Sequence, residues 1–189
     1  MNELQDYIIS YFGIRSADLG KLAPLFEQQT LEKGAFFVEQ GSYCDALSFV
    51  KEGHLRIFAD SESKEVTQWI SVKGHFITDL SSLIFDTTAR FSIQALTNCQ
   101  LYTIQKSSYR RLHEVVSDWP KLEKLFLAKC FITLENRVFN LLSLSATQRY
   151  EHYFEQNKEV FNQVPLQYIA SLLGMTPETL SRIRTNHTS

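Results

Sequence analysis

The chain has 189 residues, of which 44% are hydrophobic and 13% aromatic, which suits a packed core and excludes whole-chain disorder. Its 19 Lys and Arg against 21 Asp and Glu leave a net charge of -2, which excludes a chain-wide basic field, so any nucleic-acid binding must be local. Cys44, Cys99 and Cys130 are scattered, with no C-x-x-C pair, and fit free buried thiols in a reducing cytosol rather than a metal site or an iron–sulfur cluster.

The opening "MNELQDYIISYFG" has an acid and polar residues where a secretory leader needs Lys or Arg, and no stretch approaches the ~20 apolar residues of a membrane span. The expectation is a cytoplasmic protein with no membrane contact. Residues 1 to 25 read as short helices, with Leu4, Tyr7, Ile8 and Tyr11 at helical spacing. From 26 to 105 the texture is β: "LSFVKEGHLRIFAD", "KEVTQWISV" and "RFSIQALTNCQLYTIQ" are rich in β-branched and aromatic residues, and Gly34, Gly41, Gly53 and Gly74 punctuate turns. Short strands this close together predict a small barrel or a two-sheet roll.

The chain turns helical from Lys106. "SSYRRLHEVV" predicts one short amphipathic helix. In "SDWP", Ser117 or Asp118 can cap a second helix, with Pro120 in its first turn. That helix runs unbroken to Leu144, ~37 Å if ~25 residues long, with Leu122, Leu125, Phe126, Ile132, Leu134, Val138, Leu141 and Leu142 as its apolar residues. This is more apolar surface than one roll needs, which predicts packing against a second copy; the alternative is a long helix lying across its own domain. "QRYEHYFEQNKEVF" predicts a further helix.

In "VPLQYIASLLGMTPETLSRIRTN", Pro165 suits a helix start, Ile169, Leu172 and Leu173 give an apolar face, and Ala170 allows a close helix crossing. Gly174 ends the helix with positive φ. Thr176 caps the next one and Pro177 takes its first position. Leu180 and Ile183 face inward, leaving Glu178, Ser181 and Arg182 together outside. Arg can donate twice to guanine, Glu can accept from cytosine, and Ser is a short adaptable partner. Gln167, Arg184 and Thr185 are candidates for phosphate. The alternative is a terminal helical hairpin with a solvated polar face, because Arg149, Lys158, Arg182 and Arg184 are balanced there by Glu151, Glu155, Glu159 and Glu178.

"QYIASLLGMTPETLSRI" resembles the helix-turn-helix signature of the Crp/Fnr superfamily of bacterial transcription regulators. "LEKGAFFVEQG", "LSFVKEGHLRIF" and "FITDLSSLIF…RFSIQAL" resemble that family's cyclic-nucleotide-binding β-roll, so the likeness covers nearly the whole chain. It implies an α+β fold, divided into a jelly-roll-like sensor over 1–117, a dimerisation helix over 118–145 and a helix-turn-helix over 146–189. It further implies a homodimer reading palindromic double-stranded DNA through Thr176, Pro177, Glu178, Ser181, Arg182, Arg184 and Gln167, with RNA polymerase a further candidate partner. An effector would bias two dimer arrangements that space the reading helices differently.

Two departures from the family pattern stand out. Its cyclic-nucleotide binders open a short helix with Gly-Glu-Leu, where this chain has Thr78-Asp79-Leu80 followed by Ser81. Their phosphate-binding arginine falls on Ala89, and Arg90 comes one residue late, which on a strand is the opposite face. Arg90 can still reach the pocket if the strand has not begun there. The dimer-helix pair that meets the nucleobase is Leu134-Glu135 here. Cyclic AMP is therefore not the expected effector; another small anion, or no ligand, is. The second departure is the end: "TNHTS" stops where many relatives continue into a β-hairpin wing, so a helix-turn-helix without a full wing is expected. His54 and His75 have no third ligand at metal spacing and fit surface or turn positions. The chain holds no nucleophile elbow, P-loop or Rossmann glycine set, so no enzyme is expected. The competing function is a ligand-binding sensor acting through protein contacts without specific DNA binding.

Overall fold

The structure, a computed structural model, describes residues 3–61 and 64–187. Two helices open the chain, α1 (Glu3–Phe12) and α2 (Ser16–Leu22), followed by a short 3-10 turn at Ala23–Leu25. Leu4, Ile8 and Phe12 recur at i, i+4 and are all buried, so α1 is held by one apolar stripe. Eight strands follow: β1 (Glu27–Leu31), β2 (Phe36–Val38), β3 (Ala46–Glu52), β4 (Leu55–Ser61), β5 (Lys64–Ser71), β6 (Phe76–Ile77), β7 (Ser92–Ala95) and β8 (Cys99–Gln105). They form two four-stranded antiparallel sheets, in the orders β1-β8-β3-β6 and β2-β7-β4-β5.

Strand β3 is buried on both faces, and its alternation sorts the two cores. Val50 joins Val38, Leu55, Ile77, Ile93 and Leu101 in the roll's apolar core, and Ser48 shares a buried 2.7 Å hydrogen bond with Thr103. Leu47 and Phe49 point the other way, into a second core built with the helices. Gly53 makes the β3–β4 turn possible. Its φ is +98°, and a Cβ there would come within 2.6 Å of Cys99 Sγ and 2.7 Å of the Asn98 carbonyl.

The short helix α3 (Leu80–Phe85) interrupts the strands. After β8 the chain forms α4 (Lys106–Arg110) and α5 (Leu112–Val115) rather than one helix across "SSYRRLHEVV". The break at Arg111 tightens the path so that Tyr109, Leu112 and Val116 all reach the core. Helix α6 (Trp119–Ser143) is unbroken for 25 residues, with Pro120 in its first turn. Asp118 stands at its N-cap position but makes no side-chain cap; its carboxylate takes Arg15 at 3.2 Å instead. Phe126 anchors α6, its ring centroid 4.7 Å from Phe12, 4.9 Å from Phe76 and 6.3 Å from Tyr11.

Beyond α6 lie α7 (Ala146–Gln156), α8 (Val160–Gln163), α9 (Leu166–Leu172) and α10 (Pro177–His187). Ser145 and Gln148 close a reciprocal capping box that starts α7. The helix expected through "QRYEHYFEQNKEVF" ends at Gln156, and Asn157 leaves the helical conformation with φ -137°. Tyr150, Phe154 and Phe161 pack across this bend. No helix among the described residues is long and apolar enough to cross a membrane.

Both roll histidines sit at turns, but His54 is buried rather than on the surface. Its Nδ1 has no hydrogen-bond partner among the described residues, and His75 Nδ1 accepts from Val72 N at 3.4 Å and Trp69 Nε1 at 3.5 Å. Burial pushes both pKa values below the ordinary 6.5. The unfolded chain therefore binds these protons first, and stability present above pH 6.5 is lost as pH falls below it. In thermal melts between pH 7.5 and 5.5 the midpoint should fall with pH, and His75→Gln should flatten the fall.

Candidate functional site

The terminal helix pair is built from the inside out. Ile169, Ala170, Leu172 and Leu173 from α9 and its end pack with Leu180 and Ile183 from α10, over Tyr150, Val160, Phe161 and Val164. The turn between the helices works because Gly174 adopts φ +64°. Thr176 Oγ1 then accepts from the Thr179 amide at 3.3 Å and caps α10. Burial of Leu180 and Ile183 leaves Thr176, Pro177, Glu178, Ser181 and Arg182 exposed on one side, and Gln167 exposed on α9. The Glu178 carboxyl is held below the usual range by its own backbone N–H and the Thr176 hydroxyl, so it remains a charged acceptor. Arg184 is half-buried, and Thr185 Oγ1 donates to the Ser181 carbonyl at 3.1 Å. Of the closing "TNHTS", Thr188 and Ser189 lie outside the described residues.

Three arginines that the sequence reading left aside or placed only in a charge balance position this pair. Arg137, from α6, donates to the Leu172 carbonyl at 2.8 Å and lies 5.4 Å over the Trp69 ring. Arg149, from α7, donates to the carbonyls of Leu144 at 2.7 Å, Leu173 at 2.8 Å and Gly174 at 3.4 Å. Arg56, on β4, reaches Tyr168 of α9. Nothing in their spacing marks them, because each serves backbone or rings far away in sequence.

The second candidate site surrounds α3. Asp79 is buried, and both of its carboxylate oxygens are engaged by the chain's own amides: one by Ser82 N at 2.8 Å, the other by Arg90 N at 3.0 Å. Thr78 Oγ1 donates to the Ala46 carbonyl at 2.9 Å, and Ser81 Oγ pairs with Thr87 Oγ1 at 2.9 Å. Leu80 packs against the helical core. Ala89 is buried in the roll core, its amide bonded to the Ser42 carbonyl at 2.7 Å and its carbonyl to Gly41 N at 2.8 Å. Arg90 precedes β7, so the strand has indeed not begun there, yet its side chain is exposed with the guanidinium 5.4 Å over Phe91. Lys106 and Arg110 are committed to the C-terminal end of α3: both bridge to Asp86, at 2.8 and 2.6 Å, and hold its carboxyl below the usual range, and Lys106 also donates to the Ser82 carbonyl at 2.7 Å. Leu134 and Glu135 are exposed on α6, beyond Cys130, the last α6 residue packed on the sensor core.

Residues 28–115 match the family model of the cyclic nucleotide-binding domain. Over most of its length the chain also has the fold of solved regulators, one of them of the Crp/Fnr family. FixK2 from Bradyrhizobium japonicum is similar with a TM-score of 0.72 at 17% identity, over 86% of this chain and 85% of that one. A Crp/Fnr-family regulator from Eubacterium rectale gives 0.71 at 16% identity, over 97% and 88%. CLP, the c-di-GMP-responsive global regulator of Xanthomonas campestris, gives 0.66 at 16% identity, over 92% of each chain. No curated protein matches the chain by sequence.

Around α3, Asp79 and Ala89 are turned inward and Arg90 is exposed, and the terminal helix pair keeps its polar face open. Removing Arg149 would strip three backbone carbonyls of their donor at once. Arg149→Ala should lower the stability of the protein by about 2–3 kcal/mol, measured by chemical denaturation against wild type.

Proposed function

We propose that this chain is a dimeric, sequence-specific DNA-binding regulator of the Crp/Fnr type whose effector pocket has lost the cyclic AMP pattern. The observation that carries this reading is the exposed row Glu178, Ser181 and Arg182, presented by buried Leu180 and Ile183 and followed across the turn by exposed Gln167. A base-reading helix needs such a row in its first turns, where it enters the major groove. An arginine and a carboxylate one turn apart suit a guanine and a cytosine edge.

The dimer is supported by α6. Leu127, Phe131, Leu134, Val138 and Leu141 follow one another at spacings of four and three, and all are exposed. That is a two-helix seam with no cover in its own chain, flanked by Phe139 and Leu142 at 68% and 81% exposure. A second copy, presenting the same stripe in parallel, is the occupant that fits. Pairing also answers the balanced charge of the terminal region, because two readers double the phosphate contacts.

The sensor reading rests on Asp79 and Ala89. Asp79 is buried with an amide on each carboxylate oxygen, which leaves a ribose hydroxyl little access, and the slot of a phosphate-binding arginine is filled by a buried methyl group. Cyclic AMP does not fit this arrangement. A different small effector acting through the cyclic nucleotide-binding domain remains the coarser expectation.

In-vitro selection of DNA, run with and without cyclic AMP, tests reader and sensor together. The expected result is one palindromic operator, unchanged by the nucleotide. Arg182→Ala should weaken binding to it by about 1–3 kcal/mol and relax one base pair in each half-site. Binding with no sequence preference would favour the sensor that acts through protein contacts. Phe131→Glu combined with Val138→Glu should turn the dimer into a monomer in sedimentation analysis, with the helical content unchanged.

A further inference from the structure

Strand β5 is the outer strand of its sheet, and an open edge exposes backbone groups that need cover. Here the cover is α9. The Thr67 amide donates to Ser171 Oγ at 2.9 Å, and Ile70 and Leu96 of the sensor join the reader's own apolar cluster. Arg56 lies in the middle of this contact and is 2% exposed. Its Nε donates to Thr67 Oγ1 at 2.9 Å and its Nη1 pairs with Glu65 at 2.5 Å. Its guanidinium lies 4.1 Å from the Phe58 ring on its own strand and 3.9 Å from the Tyr168 ring on α9. The charge is thus satisfied within the sensor, and the Tyr168 contact is what it offers to the reader.

We propose that the Arg56–Tyr168 contact is a second point of attachment that fixes the bearing of the reader, so that Arg56 is a positioning residue for the spacing of the two DNA half-sites. This rests on the DNA-reading function proposed above. Arg137 and Arg149 hold the end of α9 at the carbonyls from Leu172 to Gly174, and the Arg56–Tyr168 contact, beside the Thr67–Ser171 bond and the packing of Ile70 and Leu96, holds the helix against the roll. A body held at one end can swing about it. Tyr168 and Ser171 lie on α9 at i and i+3, and Tyr168 is about 6 Å along the axis from Leu172. Contact there removes the swing. The bases chosen within a half-site depend on Glu178, Ser181 and Arg182, none of which touches the sensor. The distance between half-sites depends on where each reader stands relative to α6. The two properties are therefore separable, and Arg56 acts on the second alone.

The test uses the full chain and a DNA library with the selected half-sites held constant and the spacer varied across one helical turn. Wild type should prefer one spacing. In Arg56→Ala and in Tyr168→Leu, discrimination between the best spacing and its neighbours should fall about tenfold, while the half-site bases stay those of wild type. Arg56→Lys, which keeps the charge without the planar fork, should fall between. An unchanged spacing preference in both variants overturns the proposal, as does a change of half-site bases in a folded Tyr168→Leu protein. If Arg56→Ala does not fold, Tyr168→Leu and Ser171→Ala carry the test from the reader side. If wild type selects no sequence, the DNA-reading function fails and the spacing role with it. Hydrogen exchange at the Thr67 amide then judges the attachment itself. Exchange about tenfold faster in Tyr168→Leu than in wild type supports it, and equal rates overturn it.

Discussion

A helix that ends leaves its last carbonyls without partners, and the way α9 solves this holds the molecule together. Its terminal carbonyls at Leu172, Leu173 and Gly174 are taken by Arg137 from α6 and Arg149 from α7. No carboxylate lies within ion-pair distance of either arginine among the described residues, so the negative end of the helix itself is the counter-charge. Arg149 also bonds the Leu144 carbonyl, where α6 stops, which ties the end of the long helix to the turn of the reader in one guanidinium. Gly174 lies against α6, and its φ of +64° rather than lack of room is what favours glycine there, since a Cβ would meet Leu141 at an ordinary 3.4 Å contact. The terminal helix pair is thus seated on α6 by its turn, with its polar face exposed.

The sensor shows the same economy in reverse. A buried carboxylate needs partners, and Asp79 finds two backbone amides close by, one at the start of α3 and one at Arg90. Both oxygens are engaged, and Ala89 is packed into the roll. The ion pairs from Lys106 and Arg110 to Asp86, which holds a left-handed conformation at φ 57°, pin the far end of the same helix. The segment around α3 is therefore closed by hydrogen bonds and ion pairs of its own.

What could be read in advance differs element by element. Helix α6 was legible because twenty-five residues without Gly or a mid-helix Pro carry a repeating apolar stripe. The α9–α10 pair was legible because Gly174, Thr176 and Pro177 are local signals whose physics acts within a few residues. The break at Arg111 and the end of α7 at Gln156 were not, because each is decided by where aromatic and leucine side chains must reach in a core that the local sequence does not describe. Asp118 reads as a cap by position, but Arg15, over a hundred residues away, takes its carboxylate. His54 reads as a surface or turn residue; it stands at a turn, and burial against distant elements is what its neighbours in sequence do not announce.

The sequence by itself determined the elements with short-range causes: the turn glycines, the capped reading helix, the long apolar helix and the row Glu178, Ser181 and Arg182. Only the tertiary structure decided that Asp79 is satisfied by backbone amides, that α9 covers the edge of β5, and that Arg56, Arg137 and Arg149 are the residues that hold the reader in place. The physical reason is that a guanidinium can meet its partners at the ends of a long, rotatable stem, from any place in the chain. Neither its spacing nor its neighbours in sequence say which carbonyl or ring it will find.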